Sequence, residues 1–307
     1  MAAQAYDLAI VGAGLAGLTA GLIAARYGLR SVVIDQGATG GQVLNVEKIE
    51  NFPGFPDGIA GFDLGPIVMD QAEKAGASFV MDSVTGLSVE GDSRIVHCAS
   101  ENVAARSVIL AAGSSLRSLG IPGEEQLLGK GVSHCASCDA PFFVGKEVAV
   151  IGGGDSALDE AAVLTDHCSR VLVIHRGSDF RAQQVAIDRL RERRNAEPVF
   201  NTEVLAIAGT DTVTGLSLRT DGAERTQDVA GVFIFVGLEP NTAWLQGVLD
   251  LDPAGHIVTD IHLQSSVAGV FAAGDIRQGA VALLAAAAGD GATAAVNAYH
   301  YVRQKGA

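Results

Sequence analysis

Two glycine-rich turns, 140 residues apart, constrain this 307-residue chain more than any other feature. The first, Gly12-Ala13-Gly14-Leu15-Ala16-Gly17, follows the β-rich run Tyr6–Val11. It opens an apolar helix that should last to about Tyr27, with Gly28 placed to end it. A second strand, Ser31–Ile34, then ends in Asp35. The second turn, Gly152-Gly153-Gly154-Asp155-Ser156-Ala157, follows the strand Glu147–Ile151 and precedes the strand Val171–Ile174. In both places 23 residues separate the first glycine from the residue after the next strand, Asp35 in one case and His175 in the other. One such fingerprint is weak, but two in matched register describe two dinucleotide-binding βαβ units.

The apolar run Val108–Gly113 is followed by the linker Leu119-Gly120-Ile121-Pro122-Gly123-Glu124, and Gly237-Leu238-Glu239-Pro240-Asn241 marks a second break. Strand-then-helix character returns at Val270–Asp275 and the Ala-rich stretch behind it. These signals predict an α/β protein with two Rossmann-like dinucleotide-binding domains, the second inserted into the first. Residues 1–117 and 244–307 form the outer domain, and residues 118–243 the inserted one.

Composition narrows the function classes. Twenty-one Lys and Arg stand against 35 Asp and Glu, a net charge of −14, which repels nucleic acid and anionic membrane surfaces. With 48% hydrophobic and 18% charged residues, a large core is available and disorder is not the default. Four cysteines in a chain this long do not make a secreted disulfide scaffold, which indicates a cytoplasmic, soluble protein. The uncharged stretch Leu8–Ala25 looks superficially like a span or signal segment, but Asp7 precedes it and Gly12, Gly14, Gly17 and Gly21 punctuate it. Ala280–Ala288 is too short to span a membrane and reads as a packed helix.

A carboxylate at the end of the second strand accepts hydrogen bonds from ribose hydroxyls and repels a 2′-phosphate, so Asp35 predicts FAD or NAD in the first site. His175, Arg176 and Arg181 at the second site suit a 2′-phosphate and predict NADPH; the alternative is a solvated basic patch. Cys135-Ala136-Ser137-Cys138-Asp139 reads as a redox dithiol, with Asp139 beside the second sulfur as a proton donor for a departing thiolate. Two alternatives remain at this point: inert thiols, or half a zinc site completed from Cys98, Cys168, His134 or His167, none of which has ribbon spacing. No metal is expected. Cys98 and Cys168 read as core residues; His97, His256, His262 and His300 receive no role.

Together these residues resemble the low-molecular-weight thioredoxin reductases over almost the whole chain. Further motifs carry the likeness: Gly40-Gly41-Gln42, Glu50-Asn51-Phe52-Pro53-Gly54, Ile121-Pro122-Gly123-Glu124 and Phe180-Arg181-Ala182. Gly237-Leu238-Glu239-Pro240-Asn241-Thr242, Gly269–Asp275 and Ala288-Gly289-Asp290-Gly291 complete them. The resemblance implies an FAD domain, an inserted NADPH domain carrying the dithiol, and a homodimer. It places Gly12, Gly14, Leu15, Ala16 and Gly17 at the FAD pyrophosphate, with Asp35 and Gln36 at its ribose. Gly40, Gly41, Gln42, Asn51, Val84, Ala111, Gly113, Gly274, Asp275, Leu283 and Leu284 would surround the rest of the flavin nucleotide. Gly152, Gly154, Asp155, Ser156, Ala157, His175, Arg176, Arg181 and Gly237 would hold NADPH. Cys138 would be the flavin-facing sulfur, Cys135 would attack the disulfide of a thioredoxin-like partner, and Asp139 would serve as the acid.

Three positions depart from the family pattern. Gly177 stands where most relatives have a second arginine, which implies weaker discrimination against NADH. Val43-Leu44-Asn45-Val46 replaces a Thr-rich stretch, and Ala282-Leu283 an Arg-Gln pair, so the flavin surroundings differ. The competing readings are an NADH-linked, ferredoxin-linked or peroxidase-system reductase, a dithiol oxidase using oxygen, and a flavin-binding sensor with little turnover.

Overall fold

The computed structural model describes residues 6–305. The chain divides into two compact units: one holds the residues through Ser115 and those from Glu239 onward, the other Leu116–Leu238.

The first unit grows around β1 (Tyr6–Val11), whose last four residues are all buried, the mark of a strand covered on both faces. Helix α1 (Leu15–Arg26) follows the glycine turn. It ends as the sequence predicts. Gly28, at φ +79°, donates its N–H to Ala25 O, and the Leu29 N–H reaches Ala24 O, the paired bonds of a glycine-terminated helix. Then come β2 (Ser31–Asp35), α2 (Gly61–Ala75), β3 (Ser78–Met81) and an antiparallel meander of β4 (Val84–Glu90), β5 (Ser93–Cys98) and β6 (Val103–Leu110).

The chain leaves through β7 (Ser114–Leu116) and starts the second unit with β8 (Val132–Ser133) and the four-residue helix α3 (Ala136–Asp139). The second fingerprint joins β9 (Glu147–Ile151) to α4 (Asp155–Thr165), and β10 (Arg170–Ile174), α5 (Gln184–Arg191) and β11 (Ala196–Val199) follow. A second meander, β12 (Thr202–Gly209), β13 (Val213–Thr220) and β14 (Ala223–Asp228), leads into β15 (Gly231–Ile234). β16 (Leu238–Pro240) pairs with β7, and the chain returns to the first unit for β17 (Val270–Ala272) and α6 (Leu284–Lys305).

The two units share one plan. The parallel order is β3-β2-β1-β6 with β17 outside β6 in the first unit, and β11-β10-β9-β15-β8 in the second. In each, the fingerprint strand is central, and beside it lies the strand that closes or follows the meander, β6 in one unit and β15 in the other. The outermost strand comes from the end of the chain in one unit, and from just before the fingerprint strand in the other. Besides β1, strand β6 serves two partners: Val103–Ala105 pair with β5, and Val108–Leu110 pair with β17. That division carries residues 111–113 directly from β6 to the mouth of the fingerprint turn.

The Ala-rich segment forms a helix, but not where the sequence predicts. Helix α6 begins at Leu284 rather than Ala280, with the Leu283 N–H turned back to Val281 O. Alanine propensity is only a weak preference, and residues 280–283 are used instead to bring the chain round from the Gly279 turn. Once started, α6 packs on α1 through small residues. Ala16, Ala20 and Ala24 meet Ala294, Ala295 and Ala298 in one buried cluster. Gly291 permits this approach, because a Cβ there would stand 2.1 Å from Ala16 O. Gly291→Val should therefore destabilise the protein by roughly 1–3 kcal/mol through overpacking, read as a lowered denaturant midpoint; an unchanged midpoint would contradict this packing account.

In the second unit, Phe233 is fully buried and meets Phe143 edge to face, with ring centroids 5.4 Å apart. Phe143 lies five residues after Cys138, so the core anchors the segment that carries the dithiol. Among the described residues no helix is long and apolar enough to cross a membrane.

Candidate active site

The first unit contains a cleft of about 350 Å³ at the carboxyl ends of β1, β2 and β6. Gly12, Gly14, Leu15, Ala16, Asp35, Gly40, Gly41, Gln42, Ala111, Gly113, Gly274, Asp275 and Leu284 all line it, as the sequence places them together. The turn is built for close approach. Gly12, at φ +105°, lies against Ala111 O, and a Cβ on it would come within 2.3 Å of that oxygen. Gly17 lies so close to Gly12 O that its own Cβ would stand 1.9 Å away. Gly14 is different: nothing lies within 4 Å of where its Cβ would be, so its backbone faces open space. Helix α1 has no side-chain cap and no acidic residue in its first turn, which leaves its leading N–H groups available to an anion.

Asp35 is pinned at the end of β2. One oxygen accepts from the Ala13 N–H at 2.5 Å and the other from the Gly37 N–H at 2.8 Å. Gln42 Nε2 donates to Ser114 O at 2.7 Å, while the buried Ser114 hydroxyl, on the cleft wall, has no partner among the described residues. Asp290, from α6, accepts from the Gly274 N–H at 3.0 Å and from Arg277 Nε at 2.6 Å, which fixes the turn carrying Asp275. Burial pushes the Asp275 carboxyl up, and the Asp290 charge adds to this, with His256 opposing. A groove with an open glycine, free helix-end donors, a ribose-ready carboxylate and an orphan hydroxyl fits an adenine dinucleotide with an unphosphorylated ribose.

The second fingerprint repeats this construction. A Cβ on Gly152 would stand 2.3 Å from Phe235 O, and Gly154, like Gly14, faces open space. Asp155 opens α4 and accepts from the Gln183 N–H at 2.6 Å, and the Arg181 N–H donates to Gly153 O at 2.7 Å. Those bonds hold Arg181 at the rim. Arg176 and Arg181 are exposed, and neither forms an ion pair among the described residues. His175 sits apart from them, buried beneath the turn. A Cβ on Gly153 would lie 2.5 Å from its Nδ1, and one on Gly177 would lie 2.8 Å from its Nε2. The glycine at 177 and the tucked imidazole therefore go together. Burial lowers the His175 pKa, Arg181 and then Arg176 lower it further, and Asp179 partly opposes them, so the ring is held neutral. The second site offers two cations rather than three.

A pH dependence follows from this. As pH falls through 6.5, the ordinary histidine value, the unfolded imidazole takes up a proton that the folded one refuses, so stability declines until the lowered folded pKa is passed. His175→Phe should flatten that acid limb in denaturation experiments between pH 7 and 5. Equal acid slopes in the two proteins would contradict a neutral, buried His175.

The dithiol lies on α3. Cys135 and Cys138 are joined in a disulfide, with Cα atoms 5.4 Å apart, so the pair is bonded to itself rather than arranged as separate ligands. Cys135 is half-buried and Cys138 exposed. Cys135 Sγ accepts from the Cys138 N–H at 3.2 Å, and Ser137 Oγ lies 3.4 Å from the same sulfur. Asp139 donates its N–H to Cys135 O at 3.2 Å. Cys168 is buried, and desolvation pushes its thiol up to about 11, which suits an inert core residue. Burial, with Asp82 nearby, also raises the Cys98 thiol.

Several expected residues are not among those lining the first cleft. Gln36 accepts from the Ser83 hydroxyl at 3.0 Å, Val84 opens β4 and packs on a core cluster, and Asn51 is exposed on a bend. Leu283 is exposed ahead of α6, Ser156 is exposed on the first turn of α4, and Gly237 adopts φ +111° at the end of the second unit. Four other residues carry no site role in the sequence reading, although Asn241 and Asp290 fall within its motifs. Ser114 and Asn241 line the first cleft, and Asp290 braces it. Glu160, on α4, holds the start of α3, its Oε2 accepting from the Ala136 N–H at 2.5 Å. A signal for Glu160 did exist: it falls three residues after Ala157 and four before Leu164, one turn from each of these buried residues of the helix.

The comparisons with known proteins agree with this architecture. The profile of the pyridine nucleotide-disulphide oxidoreductases matches residues 6–291. A thioredoxin reductase of Listeria monocytogenes is 39% identical over 97% of this chain and 94% of its own length. The bifunctional thioredoxin reductase/thioredoxin of Mycobacterium leprae is 40% identical over 97% of this chain, which spans 66% of that longer protein. The crystal structure of Lactococcus lactis thioredoxin reductase superposes with a TM-score of 0.95 at 35% identity, covering 97% of this chain and 99% of that one. With its two matched fingerprints, its bonded CxxC and these relatives, the chain belongs to the low-molecular-weight thioredoxin reductase family of the pyridine nucleotide-disulphide oxidoreductases.

Proposed function

We propose that this protein is an NADPH-dependent reductase that passes two electrons, by way of FAD and the Cys135–Cys138 disulfide, to the disulfide of a thioredoxin-like protein. The observation that carries the reading is the bonded Cys135–Cys138 pair on α3, held to the helix that the second fingerprint opens. The unit made of the residues through Ser115 and those from Glu239 onward is assigned to FAD, and Leu116–Leu238 to NADPH. FAD, when bound, supplies the relay between a two-electron hydride donor and a disulfide.

The chain's own groups do the rest. Gly12, Gly14 and the first turn of α1 would hold the FAD pyrophosphate, Asp35 its ribose, and Gln42, Asp275 and the Ser114 hydroxyl the remainder of the cofactor. Gly152 and Gly154 would hold the NADPH pyrophosphate, and Arg176 and Arg181 its 2′-phosphate. In the reduced pair, the Cys135 thiolate would attack one sulfur of the partner disulfide, and Cys138 would then displace the partner's remaining thiolate by closing the bond back to Cys135. Asp139 would supply the proton for the thiolate released when the pair is opened. The protein is taken to act in the cytoplasm, as a homodimer.

The purified flavoprotein should oxidise NADPH when oxidised thioredoxin is supplied, with one thioredoxin dithiol formed per NADPH consumed. NADPH oxidation that generates peroxide from oxygen and no thioredoxin dithiol would favour an oxidase instead. The retained Gly152-x-Gly154-x-x-Ala157 turn and the exposed Arg176 and Arg181 support the reductase.

A further inference from the structure

The carboxylate of Glu160 takes the first two backbone donors after Cys135. Its Oε2 accepts from the Ala136 N–H at 2.5 Å, and the Ser137 N–H also bonds to it. Only the third donor, the Cys138 N–H, reaches Cys135 Sγ, at 3.2 Å. Glu160 is half-buried on α4, one turn from the buried Ala157 and Leu164, and Ala136 beside it is fully buried, so the contact is partly shielded from water.

Reduction of the pair adds two electrons and two protons. Above the titration of Cys135, one of those protons leaves and a thiolate remains. A carboxylate bonded to the adjacent amides acts on that anion in two ways: it withholds two N–H donors, and it places a like charge nearby. The neutral disulfide feels neither effect. We propose that Glu160 is a positioning residue that sets the redox balance of the Cys135–Cys138 pair, disfavouring the Cys135 thiolate and so making the reduced pair a stronger electron donor. The inference rests on the reading of this pair as the redox centre. The direction is the reverse of dithiols whose stabilised thiolate makes them oxidants, and it suits a protein that hands electrons outward. Glu160 also ties the dithiol helix to α4, the helix that the second fingerprint opens, so the two sites of this unit share one rigid element.

The test uses the reduced holoenzyme. The pH dependence of iodoacetamide alkylation at Cys135, located by peptide mass, gives its titration. The equilibrium against dithiothreitol gives the redox balance, one dithiothreitol being oxidised to its cyclic disulfide for each Cys135–Cys138 bond opened. Glu160→Gln keeps an acceptor oxygen and removes the charge. Its Cys135 midpoint should fall by about one unit. Above the wild-type midpoint, its equilibrium constant for reduction should rise about tenfold, equivalent to about 30 mV. Glu160→Asp keeps the charge and should stay nearer to wild type than Gln does. Asp159→Asn, which neutralises the exposed neighbouring carboxylate, should shift Cys135 less than Glu160→Gln.

A Gln variant that matches wild type in both measurements overturns the proposal. An Asp variant that shifts further than Gln, or an Asp159→Asn shift as large as that of Glu160→Gln, does the same. A wild-type pair that does not exchange with dithiothreitol at all overturns the redox-centre reading itself, a result distinct from equal behaviour of wild type and variant.

Discussion

Cys138→Ser should abolish NADPH-driven reduction of a protein disulfide, with turnover falling on the order of a thousandfold or more, while reduction of the bound flavin by NADPH persists. The argument is stoichiometric. Cys135 and Cys138 are the bonded pair, and the remaining cysteines are poorly placed to replace either. Cys168 is buried with its thiol pushed up to about 11, and Cys98, in the other unit, is also raised by burial. With serine at 138, Cys135 can form a mixed disulfide with a partner but has no neighbour to resolve it. Stopped-flow absorbance for the flavin, together with a steady-state assay on thioredoxin, separates the two half-reactions. Undiminished thioredoxin reduction by the variant would remove the dithiol from the pathway.

The second large effect concerns nucleotide choice. Arg176→Ala and Arg181→Ala should each raise the KM for NADPH by roughly ten- to a hundredfold, since a hydrogen bond to a charged group contributes about 1.5–3 kcal/mol. The KM for NADH should hardly move, because NADH has no 2′-phosphate. Both guanidiniums are exposed and free of ion pairs among the described residues, so the substitutions remove ligand contacts rather than internal support. With Gly177 in place of a further arginine and His175 neutral beneath the turn, a preference for NADPH would rest on these two cations. An equal loss with both nucleotides would show that the pair does not read the 2′-phosphate.

Much of this architecture was legible in the sequence because a few strong local constraints recur in it. The turns at Gly12 and Gly152 admit little but glycine, since each lies against a carbonyl oxygen, and their matched spacing announced two units with one strand plan. Asp35 was legible for the same reason: the end of the second strand is a fixed position relative to the turn. The exceptions involve long-range partners. Asp290 reaches Gly274 and Arg277 only because Gly291 lets α6 lie on α1, a contact between segments far apart in sequence. The placement of His175 depended on the missing Cβ at Gly153 and Gly177, which spacing alone does not reveal. The start of α6 was misplaced because alanine content describes a tendency and not the turn at Leu283 that sets the boundary. Glu160 is hard to read in the sequence because an acidic residue beside another acidic residue looks like surface, although its helical phase sets it one turn from the buried Ala157 and Leu164.

The central claim is that electrons from a nicotinamide reach the Cys135–Cys138 disulfide. The most direct measurement is anaerobic addition of NADPH to the oxidised flavoprotein, followed by quenching with an alkylating reagent and peptide mass analysis. The account predicts alkylation of both Cys135 and Cys138 after NADPH, and of neither without it. A flavin that bleaches while the Cys135–Cys138 bond stays closed would contradict it.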